Sequence, residues 1–322
     1  MKRYKNLEAQ ILSYDNIIGG FEDTVRKMRY KPPMLWLYNH MEEVLIETFD
    51  SLRDRSWQPK GFREFMIREP KLRMISAPYV TDRLVHHILC RVIEPLLDRR
   101  FMYDSYACRK GKGTLAACKR VQHHLRALGE DAEIYVYRID IRKYFHSVDH
   151  DVLKGIIRKH FADDFVLWLT DTIIDSYPRG LPIGSLTSQL FANVVLDQLD
   201  HHLECPSYVR YMDDVVIVST DLDELKALQR KAEAYIEDTL KLRLNERKTH
   251  ISKYQKHINF AGYLITPWVL YPRKANIKAA GKRLRKLAIV NPEKWDASKQ
   301  SFLGYMKHCA WTKDASRVMI SA

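Results

Sequence analysis

The stretch YVRYMDDVVIVS (residues 208–219) places two adjacent aspartates, Asp213 and Asp214, between two apolar runs. Apolar segments on both sides of a short polar break predict a β-hairpin with the aspartates at its tip. Adjacent carboxylates repel each other, and burying them without a partner costs free energy. The pair is therefore either a solvated turn or the ligand set of a strongly positive group.

The composition predicts a globular protein with a polyanionic partner. The 322 residues exceed one ordinary core, so two or three subdomains are expected. Lys and Arg number 53 against 40 Asp and Glu, and the resulting formal charge of +13 favours nucleic acid over a membrane surface.

The cysteines and the hydropathy pattern bear on the cellular compartment. Five scattered cysteines without a C-x-x-C pair indicate free thiols in a reducing cytosol and argue against a zinc site. Neither a signal-peptide core nor a run of about 18 apolar residues occurs. We therefore expect a soluble cytoplasmic protein that does not act on membranes.

Helical and extended patterns interleave along the chain, which predicts an α+β fold with antiparallel hairpins. Residues 1–60 are expected to be helical, with one buried face that includes Trp36, Leu37 and Val44. The other predicted elements are a β-hairpin in 62–78, helices in 80–97, 185–203 and 222–240, strands in 132–141 and 258–265, and a basic helix from 274 onward.

A third carboxylate, Asp140, lies at the end of the predicted strand AEIYVYRIDI (132–141). A strand-end Asp beside a hairpin-tip Asp forms a hard-oxygen site suited to Mg²⁺, which one or two carboxylates and substrate phosphates commonly hold. Two such ions about 3.5–4 Å apart activate an attacking hydroxyl and stabilise a leaving oxygen. The cations would also offset the repulsion between Asp213 and Asp214.

Several blocks, in a fixed order between about residue 62 and residue 270, resemble those of bacterial reverse transcriptases. They are EPKLRMIS, IDIRKYFHSVDHDVL, GLPIGSLTSQLFAN, YMDD, LNERKTHI and INFAGYLI, the last of which resembles the primer grip. The resemblance implies an RNA-directed DNA polymerase of right-hand fold. It implies an N-terminal helical extension in 1–60, fingers and an antiparallel palm with helices in 61–272, and a short basic helical thumb in 273–322.

The resemblance also implies the catalytic residues. Two Mg²⁺ ions, which Mn²⁺ can replace, would be held by Asp140, Asp213, Asp214 and the backbone carbonyl of Ile141. Lys248 would act on the pyrophosphate leaving group, and Phe145 would be the aromatic gate that screens the sugar 2′ position. The residues implied to contact the incoming dNTP are Lys71, Arg73, Ile141, Phe145, Ile183 and Gln189.

Basic residues are expected along the nucleic acid. The four-residue spacing of Lys278, Lys282 and Lys286 puts one cationic face over an apolar stripe, which suits a thumb that tracks a phosphate backbone. A solvated helix face is the alternative for these lysines. The full set implied to contact nucleic acid is Arg109, Lys110, Lys112, Tyr211, Met212, Lys278, Lys282 and Lys286.

A narrower resemblance lies in LPIGSLTSQLFAN, where Ile183 stands in place of the usual Gln and Gln189 in place of the usual Pro. This pattern is similar to the reverse transcriptases of diversity-generating retroelements. A Gln beside the nascent base pair would hydrogen-bond the incoming nucleotide, whereas Ile offers only apolar contact, so discrimination falls. Core packing is the competing and compatible explanation of Ile183.

That narrower resemblance implies an error-prone enzyme which copies a template-repeat RNA into adenine-mutated cDNA for the variable region of a target gene. Its implied partners are the template RNA, the cDNA–RNA duplex, dNTPs and a small barrel-forming oligomeric accessory protein. We expect no maturase or endonuclease domain after the thumb. Three alternatives stay open: a retron or group II intron-type reverse transcriptase of ordinary fidelity, a non-catalytic RNA-binding scaffold, and an RNA-dependent RNA polymerase, which Phe145 disfavours.

Overall fold

A computed structural model describes residues 2–26, 30–68 and 72–310. These residues form two compact units, each assembled from three separate stretches of chain. The first unit comprises the described parts of Met1–Tyr103, Ile141–Leu203 and Ala232–Leu244, and the second those of Asp104–Asp140, Glu204–Lys231 and Asn245–Ala322. The predicted boundaries after residues 60 and 272 stay a prediction.

Helices and antiparallel strands alternate along the described chain. The helices are α1 (Glu8–Ile11), α2 (Tyr14–Val25), α3 (Pro32–Asn39), α4 (Met41–Arg53), α5 (Val80–Asp98), α6 (Thr114–Ala127), α7 (Tyr144–Ser147), α8 (His150–His160), α9 (Asp164–Asp175), α10 (Leu186–Leu203), α11 (Leu222–Ala234), α12 (Lys274–Val290) and α13 (Trp295–Met306). The strands are β1 (Phe62–Ile67), β2 (Arg73–Pro78), β3 (Tyr135–Asp140), β4 (Tyr208–Tyr211), β5 (Asp214–Ser219), β6 (His250–Lys253), β7 (Ile258–Phe260), β8 (Tyr263–Ile265) and β9 (Leu270–Pro272).

Helices α5 and α10 form the centre of the first unit. α5 packs against α2 and α10, and its side chains Leu84, Ile88 and Leu97 are buried. α10 is buried along nearly its whole length, which accounts for apolar and small residues on most of its faces rather than along one stripe. The β1–β2 hairpin also belongs to this unit.

The expected buried face in the N-terminal helices is only partly present. Leu37 and Val44 are buried, as predicted. The prediction for Trp36 is wrong, because this side chain is 46% exposed and stacks on His40 at 4.7 Å. α3 and α4 are separate helices that meet at His40, so one helical face does not continue from one to the other.

The second unit is built on an antiparallel sheet with strand order β4–β5–β3–β6. The central strand β5 buries Val215–Val218 on both faces, which explains its unbroken apolar run. A three-stranded sheet β7–β8–β9 belongs to the same core, and its third strand is absent from the sequence-based prediction. Buried members of this core are Ala117, Cys118, Val121, Val136, Val209, Val216, Val218, Phe260 and Ile265.

The turn between β4 and β5 contains only Met212 and Asp213, because Tyr211 pairs with Asp214. Met212 adopts a left-handed conformation with φ of 57°, which is unfavourable for a non-glycine residue. The fully buried Arg210 supports this turn: its Nη1 donates to the Met212 carbonyl (3.1 Å) and its Nη2 to the Ser105 hydroxyl (2.9 Å). The hairpin tip is therefore held in one conformation by a buried cation.

The basic helix predicted from residue 274 is α12. Its apolar stripe, with Ile277 and Leu284, packs against Phe302 and Met306 of α13. Lys278, Lys282 and Lys286 are exposed, as the four-residue spacing predicts.

All five cysteines lie within the described residues and are free thiols, which agrees with the sequence. No helix in the described parts of the chain combines the length and the apolar character needed to span a bilayer.

Asp82 is a buried carboxylate in the first turn of α5, and only 1% of it is exposed. Its Oδ2 accepts from the Lys60 N–H (2.8 Å), whereas its Oδ1 has no hydrogen-bond partner among the described residues. Burial raises the pKa of Asp82 to about 6. The native state therefore holds a proton that the unfolded chain releases at a lower pH.

We expect Asp82 to make the free energy of unfolding fall as the pH rises from about 4 to 6, by roughly 2–3 kcal/mol. Asp82→Asn should remove this component, which urea unfolding across that pH range would reveal as a pH-dependent difference from the wild type. Buried His86 and His160, whose pKa values are lowered, act in the opposite direction but are common to both proteins. If the free energies of unfolding of the wild type and of Asp82→Asn change with pH in the same way, Asp82 does not have a raised pKa in the native state.

Candidate active site

The antiparallel register of β3 and β5 brings the predicted carboxylates together. Asp140 ends β3 and is the direct partner of Asp214, the first residue of β5. Asp213 precedes Asp214 in the hairpin turn. Burial raises the pKa of Asp214, and the negative charges of Asp140 and Asp213 raise it further. The structure thus places all three acidic groups within electrostatic range of one another, where the two central strands of the sheet end.

Arg138 partly compensates this negative charge. It lies two residues before Asp140 on β3, hence on the same face of the strand, and its Nη2 donates to Asp214 Oδ1 at 3.2 Å. Its guanidinium lowers the pKa of Asp214, against the effect of burial. Arg138 was not predicted as a site residue, although its spacing from Asp140 in RID (residues 138–140) is a usable signal.

Asp140 is held by the segment that leads into β6. Asn245 Nδ2 donates to its Oδ1 (2.8 Å), and Lys248 Nζ contacts its Oδ2 (2.5 Å). The backbone is fixed as well, because the Asn245 N–H donates to the Asp140 carbonyl and the Asp140 N–H donates to Thr249 Oγ1. Lys248 therefore lies at the carboxylates, and its predicted action on the pyrophosphate stays a prediction. Asn245 and Thr249 are positioning residues that were not predicted from the sequence.

The chemistry of this donor set fits divalent cations. Among the described residues, no group of three or more His, Cys, Asp and Glu side chains is already arranged as a metal cage. Instead the hard carboxylate oxygens are matched by the cationic heads of Lys248 and Arg138. The side chain of Lys248 is 46% exposed, so a divalent cation can displace it at low cost. Ile141, next in the chain, is buried and bridged to Leu244.

In the first unit, Ile183 lies in a loop that is tied to the β1–β2 hairpin. The Ser76 N–H donates to the Ile183 carbonyl at 2.9 Å. Ser76 Oγ in turn bonds Glu64 Oε1 (3.0 Å) and lies 3.3 Å from the Tyr177 hydroxyl. The backbone of Ile183 is therefore fixed from the side of β2, and its half-buried side chain is the variable part.

A buried polar cluster fixes the same loop from the side of α5. His86 Nδ1 lies 2.9 Å from Ser185 Oγ and 3.1 Å from Thr187 Oγ1. Burial lowers the pKa of His86 to about 3, so the ring stays neutral and can share these hydroxyl protons. Gly184 has a φ of 123°, and a Cβ there would come within 2.8 Å of Ile75 Cγ2. Only glycine fits between Ile183 and this cluster.

Phe145 is half-buried on the short helix α7. The Leu181 N–H donates to its carbonyl at 2.6 Å. Gly180, with a φ of 69°, packs so closely that an added Cβ would lie 2.4 Å from the same carbonyl oxygen. Tyr144 anchors the helix through its hydroxyl, which donates to the Ala192 carbonyl at 2.6 Å. The backbone of the predicted sugar gate is thus rigidly placed within the first unit.

The other predicted contact residues are distributed over both units. Arg73 and Gln189 are exposed in the first unit, and Lys71 lies outside the described residues. In the second unit, Arg109 Nη1 donates to the Ser105 carbonyl (2.9 Å), and Lys110 is exposed. Lys112 Nζ lies 4.8 Å from the Tyr106 ring centroid. Tyr211 accepts from Thr114 Oγ1 (3.1 Å), and Met212 lies in the hairpin turn.

Comparison with known proteins gives the class of the protein. A family model described as reverse transcriptase (RNA-dependent DNA polymerase) matches residues 67–265, which is more than half of the chain. The chain belongs to this family. The prediction of a reverse transcriptase enzyme is confirmed at that level, and the predicted fold class, α+β of right-hand polymerase type, is confirmed as well.

Particular relatives cover the chain to different extents. Protein YkfC of Escherichia coli (strain K12) is 26% identical over 66% of this chain and 69% of its own length. The group II intron-encoded protein LtrA of Lactococcus lactis subsp. cremoris is 22% identical over 75% of this chain. The apo telomerase of Candida tropicalis, at 12% identity, matches 82% of this chain with a TM-score of 0.55.

The match accounts for only part of two of these proteins. It spans 52% of the intron-encoded protein and 62% of the telomerase chain. At 12% identity, the likeness to the telomerase shows the fold alone.

We expect Lys248→Met to strengthen Mn²⁺ binding in the absence of nucleotide, because Lys248 competes with a cation for Asp140 Oδ2. A part-exposed ion pair contributes up to about 1 kcal/mol, so binding should tighten about two- to fivefold by calorimetric titration. Lys253→Met is the matched control, since Lys253 pairs with Glu133 on the same unit. Weaker Mn²⁺ binding by Lys248→Met would show that Lys248 does not compete with the cation for Asp140.

Proposed function

We propose that the chain is an error-prone RNA-directed DNA polymerase of the diversity-generating type. It copies a template-repeat RNA into adenine-mutated cDNA, which replaces the variable region of a target gene. The observation that carries the polymerase reaction is the pairing of Asp140 with Asp214 across β3 and β5, with Asp213 in the adjoining turn. The family of the chain supports the same reaction.

The carboxylates and their cationic neighbours support a nucleotidyl transfer. Bound divalent cations, here proposed to be Mg²⁺, supply activation of the primer 3′-hydroxyl and stabilisation of charge on the triphosphate. Asp140 and Asp213 are the proposed ligands, with Asp214 and the Ile141 carbonyl beside them. Lys248, once displaced from Asp140, becomes a cation available to the pyrophosphate leaving group. Catalysis then depends on positioning and electrostatics.

The remaining substrate contacts are proposed for the first unit. Arg73, together with Lys71, is proposed to neutralise the triphosphate, and Phe145 to exclude a ribose 2′-hydroxyl. Gln189 is proposed to contact the nucleotide beside Ile183. The closely packed backbone around Phe145 suits a steric gate, because the ring excludes a ribose 2′-hydroxyl only if it cannot move aside.

Ile183 supports the error-prone part of the proposal. Its carbonyl is engaged by Ser76, and the His86 cluster restrains the residues that follow it. The side chain at this fixed position offers no hydrogen bond with which to test base-pair geometry. A site that depends on apolar contact discriminates less than one that demands hydrogen bonds.

The proposed partners are the template RNA, the cDNA–RNA duplex, dNTPs and a small barrel-forming accessory oligomer. We propose that Arg109, Lys110, Lys112, Tyr211, Met212 and the α12 lysines follow the nucleic acid, and that the reaction occurs in the cytoplasm. Fingers and palm are assigned to 61–272, and the thumb to 273–322. A faithful reverse transcriptase is the second candidate, favoured by the similarity to a group II intron-encoded protein.

We expect Asp213→Asn to reduce dNTP incorporation on an annealed RNA template and DNA primer by roughly 10³-fold, because the proposed metal site loses an anionic ligand and holds its cations less well. RNA affinity should be unchanged. Asp131→Asn, at an exposed position of the same unit, should keep full activity. If Asp213→Asn incorporates dNTPs normally, the proposed assignment of the reaction to these carboxylates fails. A wild-type chain that binds RNA but incorporates no dNTP would be an RNA-binding scaffold.

We expect Ile183→Gln to lower misincorporation opposite template adenine by about tenfold or more, since it restores a hydrogen-bonding group at the loop. Sequencing of cDNA products would measure this effect. Ile183→Leu, which stays apolar, should retain the wild-type error pattern. Wild-type errors that are rare, or evenly spread over the four template bases, would exclude the mutagenic function and leave the polymerase intact.

A further inference from the structure

The first unit contains a basic cleft that shares no residue with the predicted substrate contacts. It is a cleft of about 460 Å³ whose walls carry Arg3, Arg100, Lys159, His160, Gln198 and His201; these residues are called the basic cleft below. The volume falls within the range of about 300–1,000 Å³ that is usual for ligand sites. None of these residues is among those predicted from the sequence to contact substrate or nucleic acid.

The basic cleft is assembled where the N-terminal segment docks on the end of α8. The Tyr4 N–H donates to the His160 carbonyl and the Ala162 N–H to the Tyr4 carbonyl, both at 2.8 Å. Arg100 fastens the segment, since its Nη2 donates to the Lys2 carbonyl (2.6 Å) and its guanidinium stacks 4.2 Å from the Tyr4 ring centroid. These bonds bring Arg3 beside the end of α8.

Two of the cations that line the cleft, Arg3 and Lys159, bear on what it could bind. Within the described residues, neither Arg3 nor Lys159 has a carboxylate within ion-pair distance. The acidic residue in the wall, Asp197, is 2% exposed; its Oδ1 accepts from the Met102 N–H, and its Oδ2 lies 3.5 Å from His201 Nε2. Arg3 and Lys159, two exposed cations in the walls of one cleft, therefore favour the binding of an anion.

His160 lies among these positive charges and stays neutral, so its ring can donate one N–H hydrogen bond. Burial and the positive charges of Arg100 and Lys159 lower its pKa to about 4. Arg100 Nη1 lies 3.1 Å from His160 Nδ1 and donates to it, so the neutral ring carries its proton on Nε2. The wall therefore combines fixed cations with an N–H donor, which is the chemistry that recognises phosphate oxygens.

We propose that the basic cleft binds an RNA nucleotide through its backbone phosphates, at a contact additional to the proposed catalytic carboxylates. Arg3 and Lys159 pair with the phosphate oxygens, while Arg100 and His160 form the floor of the site. The volume exceeds that of a lone phosphate and accommodates a sugar as well. The identity of the polyanion as RNA rests on the proposed function, because RNA is the template of the reaction.

The excess of basic residues favours a polynucleotide over a small anion. A formal charge of +13 attracts polyanions to the whole surface, and a preformed cleft fixes one segment of them. Such a contact would anchor the RNA without taking part in the chemical step, so affinity and catalysis should respond separately to its removal.

The test compares the double variant Arg3→Ala/Lys159→Ala with the control Lys31→Ala/Lys119→Ala, which has the same net charge and also changes exposed side chains. The probe is a short single-stranded RNA, and its dissociation constant is measured by fluorescence anisotropy over a series of salt concentrations. Each phosphate contact to single-stranded nucleic acid contributes about 0.7 to the slope of log affinity against log salt. Two contacts are removed in the double variant, so we expect its slope to be shallower than that of the control by about 1.4.

Incorporation of dNTPs on a short annealed template and primer, at saturating concentration, should be equal in the two double variants. Equal slopes and equal affinities for the RNA probe would overturn the proposal and would leave an acidic protein surface as the better occupant. A wild-type chain that binds the RNA but never incorporates dNTPs would instead refute the proposed function. The comparison of slopes would still test whether the basic cleft binds RNA.

Discussion

The pairing of β3 with β5 is the constraint on which the rest of the site depends. It sets Asp140 against Asp214 on neighbouring strands and leaves Asp213 in the two-residue turn. Three carboxylates so close together are unfavourable, and the chain stabilises them with Arg138 on one side and with Lys248 and Asn245 on the other. The fully buried Arg210 keeps the turn in place. The sheet therefore holds electrostatic strain that a divalent cation would relieve.

A second constraint acts on the loop around Ile183. Ser76 holds its carbonyl, and the His86 cluster holds Ser185 and Thr187 behind it. Both attachments use buried or half-buried hydrogen bonds, which are costly to break without replacement. A side chain on such a loop has little freedom to adapt to a misaligned base pair. The local chemistry of position 183 is thus decided by its side chain rather than by backbone movement.

The family and the particular biological role rest on different observations. The match of residues 67–265 to the reverse transcriptase family depends on many residues spread over both units. The mutagenic role depends on the side chains at 183 and 189 alone, so it stands as a proposal. The basic cleft depends on neither, because its charge comes from Arg3 in the N-terminal segment, from Arg100 and from Lys159 near the end of α8.

The sequence by itself determined the antiparallel hairpins, most long helices and the positions of the three aspartates at the ends of strands. These features follow from apolar periodicity and from contiguous motifs. It did not determine that Trp36 is exposed, that Lys248 pairs with Asp140, or that Arg138 compensates Asp214. It also missed the roles of Ser76, His86 and Arg3. These are contacts between residues distant along the chain, and only folding, through strand register and helix packing, decides which charges and hydroxyls meet.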